Sequence, residues 1–110
     1  MLEPLFGNIV VEKIFFYLLT YNDGYVRGIA DTFGMPVNRV AQQLKRLEDG
    51  GILAGQTKGK IRLYAFNPRY PFLAELKELL QKSMSFLSGT EIEKYYRQRT
   101  RPRRKGKPAA

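Results

Sequence analysis

The sequence predicts an α+β fold that is mainly helical, with three helices, a two-stranded β-hairpin and C-terminal helices. Three observations predict it. Apolar residues recur at helical spacing before residue 50, apolar and polar residues alternate between Gly59 and Asn67, and helical spacing returns after Pro71. With 110 residues, the chain is long enough for one core. We therefore expect one domain over residues 1–96 and a basic, disordered tail over residues 97–110.

Two helices are predicted in the first third of the chain. Asn8 suits the N-cap of a helix over about residues 8–21, which Asn22-Asp23-Gly24 ends. Apolar side chains occupy more than one face of this helix, so we expect it to be buried on several sides. A short second helix over residues 25–33 follows, and Gly34 supplies the positive φ needed to leave its last turn.

A third helix is predicted over about residues 36–49. Pro36 fits its first turn, where a missing N–H has no cost, and Gly50-Gly51 stops it. The apolar residues of this helix make one stripe, formed by Val37, Val40, Leu44 and Leu47. Polar residues lie on or beside the opposite face, namely Asn38, Arg39, Gln42, Gln43, Lys45 and Arg46.

The second half of the chain predicts a hairpin and two helices. Residues 52–57 and 60–66 are typical of strands joined at Lys58-Gly59. Asn67-Pro68 breaks the second strand, and a helix over residues 71–87 follows. Thr90 and Glu93 have the spacing of a capping box that starts a last short helix.

The predicted order of elements is that of a winged helix-turn-helix: three helices, a hairpin and a further helix. Two phrases carry a resemblance to a family: Val40-x-x-x-Leu44-x-x-Leu47-x-x-x-Gly51-Ile52-Leu53 and Gly59-Lys60-Ile61-Arg62-Leu63-Tyr64. On these, residues 6–73 resemble winged-helix transcriptional regulators of the arsenic-repressor (ArsR) and multiple-antibiotic-resistance-repressor (MarR) kind. The resemblance implies sequence-specific binding of double-stranded DNA. The metal-sensing branch has a cysteine-containing box on its recognition helix, which this chain lacks, so a metal response is not implied.

The third helix and the hairpin, or wing, carry residue types that contact DNA. Arginine pairs with guanine edges and asparagine or glutamine with adenine edges, so the expected base-reading residues are Asn38, Arg39, Gln42 and Gln43. Basic residues and hydroxyls hold phosphates, so the expected backbone contacts are Lys45, Arg46, Thr57, Lys58, Lys60 and Arg62. The alternative for the helix is an ordinary polar surface, and for the wing a polar loop.

A homodimer is the expected assembly, because the apolar residues exceed what one small domain covers. The first helix and the 71–87 helix are the expected interface, through Phe15, Phe16, Leu76, Leu80, Met84 and Leu87. Such a dimer predicts two recognition helices about one DNA turn apart. The alternative is that some of these residues fill the core of a single chain.

The composition argues against several other classes of protein. The chain has no cysteine and no histidine, so we expect no disulfide, metal, cofactor or catalytic function. No apolar run is long enough to cross a membrane and no leader is recognised, so a cytoplasmic protein is expected. The aromatic residues favour core packing over a small-molecule site, and the sequence does not indicate whether an effector binds.

The charge of the chain is concentrated at one end. Of its net +9, seven basic residues and no acidic one lie between Arg97 and Lys107, while residues 1–96 have 12 basic and 10 acidic residues. Such a run attracts phosphates. Two alternative functions stay open: a winged-helix module that binds an acidic protein partner, and non-specific nucleic-acid binding through the tail.

Overall fold

The computed structural model describes residues 1–97, so the expected tail lies outside the described residues apart from Arg97. Six helices and two strands follow one another along this part of the chain. Their bounds are α1 Glu3–Phe6, α2 Ile9–Tyr21, α3 Val26–Phe33, α4 Val37–Asp49, β1 Leu53–Lys58, β2 Ile61–Phe66, α5 Leu73–Met84 and α6 Gly89–Tyr95. The winged helix-turn-helix is confirmed, and α1 is the element that the sequence pattern did not predict.

The helix-turn-helix is α3 and α4 with the turn at Gly34. Gly34 has φ +65°, as its position after α3 predicted, and the Met35 amide donates to the Ala30 carbonyl at 2.9 Å. Val40 and Leu44 of α4 are fully buried against this turn and α2. The apolar stripe of α4 therefore fixes its opposite, polar face toward solvent.

Helix α2 is the centre of the core. The Asn8 side chain caps it by accepting a hydrogen bond from the Val11 amide at 2.8 Å, as predicted. Its buried residues face α1 on one side and α4 and α5 on others. The apolar residues on several faces of α2 are therefore buried by other elements of the same chain.

The wing is an antiparallel pair of strands with Leu53 opposite Phe66 and Lys58 opposite Ile61. Leu53 and Tyr64 are buried on its inner face, whereas Ile61 at the tip is 43% exposed. Tyr64 also exchanges backbone hydrogen bonds of 2.8 and 3.0 Å with Gly24, in the loop before α3. This bridge was not predicted, and it attaches the base of the wing to the start of the helix-turn-helix.

The two C-terminal helices differ from expectation in their ends. Helix α5 is shorter than the predicted 71–87. The N-cap of α6 is Ser88, whose Oγ accepts from the Glu91 amide at 3.1 Å, so the predicted Thr90–Glu93 box is wrong. Ser88 has the same spacing to Glu91 that Thr90 has to Glu93, and the earlier pair forms the cap.

Aromatic side chains attach α6 to the rest of the domain. The Tyr96 ring lies 5.8 Å from that of Phe16, and the Tyr95 ring lies 5.1 Å from that of Phe33. The Tyr21 hydroxyl donates to the Tyr95 carbonyl at 2.7 Å. Burial raises the pKa of Tyr96 well above the usual tyrosine value.

The predicted dimer interface is wrong in part. Phe15, Phe16 and Leu80 are at most 2% exposed within one chain, so they have no surface left for a second copy. Leu76, Met84 and Leu87 are half-buried and pack against the same core. These residues are buried because α1, α5 and α6 cover the faces of α2 that the sequence pattern assigned to a second copy. No helix within residues 1–97 is long and apolar enough to span a membrane.

Candidate nucleic-acid interface

The outer face of α4 is a polar strip along one side of the helix. Asn38, Arg39 and Gln42 are exposed, as are Lys45 and Arg46 one turn further on. The helix spans 13 residues, within one residue of the predicted 36–49. An α-helix of this length fits the major groove of B-DNA, and its N-terminal half carries amide and guanidinium groups suited to base edges.

Gln43 differs from its three neighbours in that its side chain is already engaged. Its Oε1 accepts from Arg46 Nη1 at 2.9 Å and from Asn8 Nδ2 at 3.4 Å, and the residue is half-buried. Because Asn8 uses its Oδ1 to cap α2, its amide nitrogen is free to point at α4. Gln43 therefore connects the start of α2 to Arg46.

The wing tip presents basic side chains to solvent. Lys58 and Lys60 are exposed on either side of Gly59, which has φ +63° and closes the turn. Within residues 1–97, neither lysine forms an ion pair with a carboxylate. Their charges are therefore available to an anionic partner.

Arg62 is the exception among the basic residues of the wing. Its Nη2 forms an ion pair and hydrogen bond with the Glu48 carboxylate near the end of α4. The hydrogen bond to Glu48 raises the pKa of Arg62 above its usual value. Arg62 thus links the second strand of the wing to α4, a contact that the sequence pattern did not reveal.

Charge is unevenly distributed over the folded part of the chain. Residues 37–62, which run from the start of α4 to the beginning of β2, hold six basic and two acidic side chains. The remaining residues of 1–96 hold six basic and eight acidic ones. Both acidic residues of the first group are paired, Glu48 with Arg62 and Asp49 with Lys45 at 3.4 Å. The surface that carries the expected DNA contacts is therefore the positive part of the domain.

An apolar stripe lies on the outer side of α5. It consists of Phe72, Leu79 and Phe86, which are 62%, 36% and 71% exposed. Leu79 lies within α5, Phe72 is its N-cap residue and Phe86 follows its C-cap. Neighbours among the three are seven residues apart, about two helical turns, and this spacing favours one side of the helix. Glu75 and Lys82, also seven apart, lie beside the stripe.

A small cavity lies between α2, β2 and α5. The cavity has a volume of about 110 Å³ and is lined by Leu18, Leu19, Asn22, Ala65, Phe66 and Lys77. Sites for drug-sized ligands are larger, about 300–1,000 Å³. Among residues 1–97, no cluster of three or more His, Cys, Asp or Glu side chains is placed to hold a metal ion.

Comparison with solved structures shows the same fold in two proteins. One is the YusO protein from Bacillus subtilis, with a TM-score of 0.56 and 17% identity, covering 78% of this chain and 67% of that chain. Another is a double mutant of ZitR from Lactococcus lactis in its apo form, with a TM-score of 0.54 and 16% identity, covering 77% and 73%.

Both share the winged-helix fold of this chain, with a helical body and a two-stranded antiparallel hairpin. Comparisons of the sequence with protein-family models and with curated proteins found no match. At these identities the similarity establishes the winged-helix fold.

Proposed function

We propose that this protein is a sequence-specific double-stranded DNA-binding transcriptional regulator. The observation that carries the proposal is the position of the positive, polar surface: it coincides with the exposed face of α4 and the wing tip, the two elements that a winged helix presents to DNA. The α4 helix enters the major groove, and the wing lies on the phosphate backbone or in the minor groove.

Asn38, Arg39 and Gln42 read bases in this proposal. They are exposed near the N-terminal half of α4 and offer the fork-like donors and acceptors that distinguish base pairs in the major groove. Gln43 lies at the edge of the same face and accepts a hydrogen bond from Arg46. In this proposal the contact directs the Arg46 guanidinium toward the phosphate backbone of the DNA. Arg46, Lys58 and Lys60, which form no ion pair with a carboxylate within residues 1–97, supply phosphate contacts, which add affinity without sequence choice.

The apolar stripe of α5 supports a homodimer with a twofold axis. Phe72 and Phe86 each lie seven residues from Leu79. Antiparallel packing of two copies with Leu79 at the axis therefore places Phe72 of one copy against Phe86 of the other. The same packing brings Glu75 of one copy next to Lys82 of the other, which gives charge complementarity on both sides of the axis. This interface replaces the buried residues that the sequence pattern suggested.

The test is to select duplexes from a random pool with the full-length protein and to titrate them against a scrambled control. We expect Gln42→Ala to lower affinity for the selected duplex by about 1–3 kcal/mol while binding to the scrambled duplex changes little. Gln81→Ala, an exposed glutamine on α5, is the matched control and leaves both affinities unchanged. Equal binding of selected and scrambled duplexes by the unmodified protein would exclude sequence-specific recognition.

A further inference from the structure

We propose that Arg62 is a positioning residue, which holds the wing against the end of α4 and does not itself bind phosphate. The inference rests on the proposed DNA-binding function and assigns Arg62 a role different from that of Lys58 and Lys60. It starts from the contact already described: the guanidinium on β2 is paired with Glu48 on α4. A cation that neutralises a carboxylate is not available to a phosphate unless that pair breaks.

The guanidinium is restrained by both strands as well as by α4. Arg62 Nη1 lies 3.3 Å from Thr57 Oγ1 on the facing strand, and the guanidinium carbon lies 5.8 Å from the centre of the Tyr64 ring. The side chain is 43% exposed and that of Glu48 is 26% exposed. Ion pairs this exposed add little to the free energy of unfolding, so we assign the contact to wing orientation.

Gly55 supplies the space through which Arg62 reaches Glu48. It faces Tyr64 across the hairpin, and a Cβ built on it would lie 2.7 Å from both Nε and Nη2 of Arg62. Gly55 is not among the glycines with positive φ, so its backbone conformation would accept another residue. A side chain at this position would therefore require the Arg62 guanidinium to move away from its present place.

The strand register explains why these groups meet. Thr57 pairs with Arg62 and Gly55 with Tyr64, so all four lie on the inner face of the hairpin, which is turned toward the helices. Lys58 belongs to the opposite face of β1, and Lys60 lies in the turn. The alternation of the strands thus separates one inward, paired cation from the two outward lysines.

The first test uses the free, full-length protein and needs no DNA. Backbone ¹⁵N relaxation of residues 57–61 reports the order of the wing. We expect Arg62→Gln, Glu48→Gln and Gly55→Ala each to lower the order of the tip, whereas Lys60→Gln leaves it unchanged. The exchange Glu48→Arg with Arg62→Glu restores the order that either reversal alone removes. Unchanged relaxation in Arg62→Gln and Glu48→Gln overturns the inference.

The second test separates positioning from phosphate binding through the salt dependence of duplex affinity. Loss of one phosphate contact lowers the slope of log affinity against log salt by about 0.9. We expect that loss for Lys60→Gln, whereas Arg62→Gln keeps the slope and weakens binding by at most about fivefold. A slope reduced by about 0.9 in Arg62→Gln overturns the inference.

If the unmodified protein binds no duplex, the proposed function fails, while the relaxation measurements still decide whether Arg62 orients the wing.

Discussion

Asn8 Nδ2 lies 3.4 Å from Gln43 Oε1, so the residue that caps α2 also contacts the helix proposed to read DNA. The two roles of Asn8 use different atoms: its Oδ1 accepts from the Val11 amide and its Nδ2 points toward Gln43. The cap and the contact can therefore be separated by substitution. Gln43 in turn accepts a hydrogen bond from Arg46, so this small network passes from the core helix to the surface of α4.

Removal of the Asn8 cap is expected to destabilise the domain. Asn8→Ala leaves the Val11 amide without its partner and lowers the free energy of unfolding by about 1 kcal/mol. Asn8→Asp keeps the accepting oxygen and a favourable charge at the helix N-terminus, so it retains stability while losing the donor to Gln43. Urea unfolding of the three proteins measures this. An equal loss in Asn8→Asp and Asn8→Ala would contradict the assignment of the cap to Oδ1.

Leu79 and Leu80 are adjacent leucines with different surroundings, and truncation distinguishes them. Leu80 is fully buried and Leu79 is 36% exposed on the apolar stripe. Leu80→Ala leaves a cavity and is expected to lower the free energy of unfolding by about 2–5 kcal/mol. Leu79→Ala is expected to cost less than about 1 kcal/mol in the monomer and to weaken self-association. Thermal or urea unfolding at low protein concentration makes the comparison, and a larger loss in Leu79→Ala would contradict it.

The charges beside the stripe test the twofold packing. Glu75→Lys and Lys82→Glu each place like charges opposite one another in the proposed dimer, and each is expected to weaken it by up to about fivefold. The double variant restores opposite charges across the axis, so its dimer dissociation constant returns toward that of the unmodified protein. Sedimentation velocity over a concentration series measures this.

Two further variants serve as the reference for that series. Leu79→Lys places two ammonium groups together at the axis and is expected to give a monomer. Leu5→Lys changes a leucine that is 65% exposed on α1 and is expected to leave the dimer intact. Single variants that weaken the dimer without recovery in the double variant would exclude the antiparallel arrangement.

Tyr96 predicts a loss of stability at alkaline pH. Burial raises the pKa of Tyr96 in the folded state above the usual tyrosine value, so the unfolded chain loses this proton at a pH where the folded chain still holds it. Stability from this group is complete below the unfolded pKa and falls as the pH rises above it. Unfolding free energies from about pH 8 to about pH 11 measure the effect. Tyr96→Phe removes this contribution, whereas Tyr25→Phe, at an exposed site, retains it.

The local parts of the fold were predictable because they depend on neighbours in sequence. Asn8 as a cap, Gly34 with positive φ and the bounds of α4 all follow from spacing within a few residues. The cap of α6 was predicted two residues late, because Ser88 and Thr90 both have an acidic residue three positions ahead. Local spacing offers two solutions there, and the fold uses the earlier one.

The long-range contacts were not predictable in the same way. The bridge between Gly24 and Tyr64 and the pair of Glu48 and Arg62 join residues that are distant in the chain. The burial of Phe15 and Phe16 depends on which elements cover α2, which no periodicity within α2 records. The candidate base-reading residues were accessible to sequence reasoning because they occupy one face of one helix.

The uneven charge of the folded part has a consequence for the proposed encounter with DNA. Residues 37–62 carry a net +4 and the rest of residues 1–96 a net −2, so this part of the molecule behaves as an electric dipole. In the field of a polyanion, a dipole rotates before contact, and α4 and the wing would turn toward the duplex while the acidic side turns away. We therefore expect productive collisions to be more frequent than random orientation allows. That advantage fades as salt shortens the range of the field.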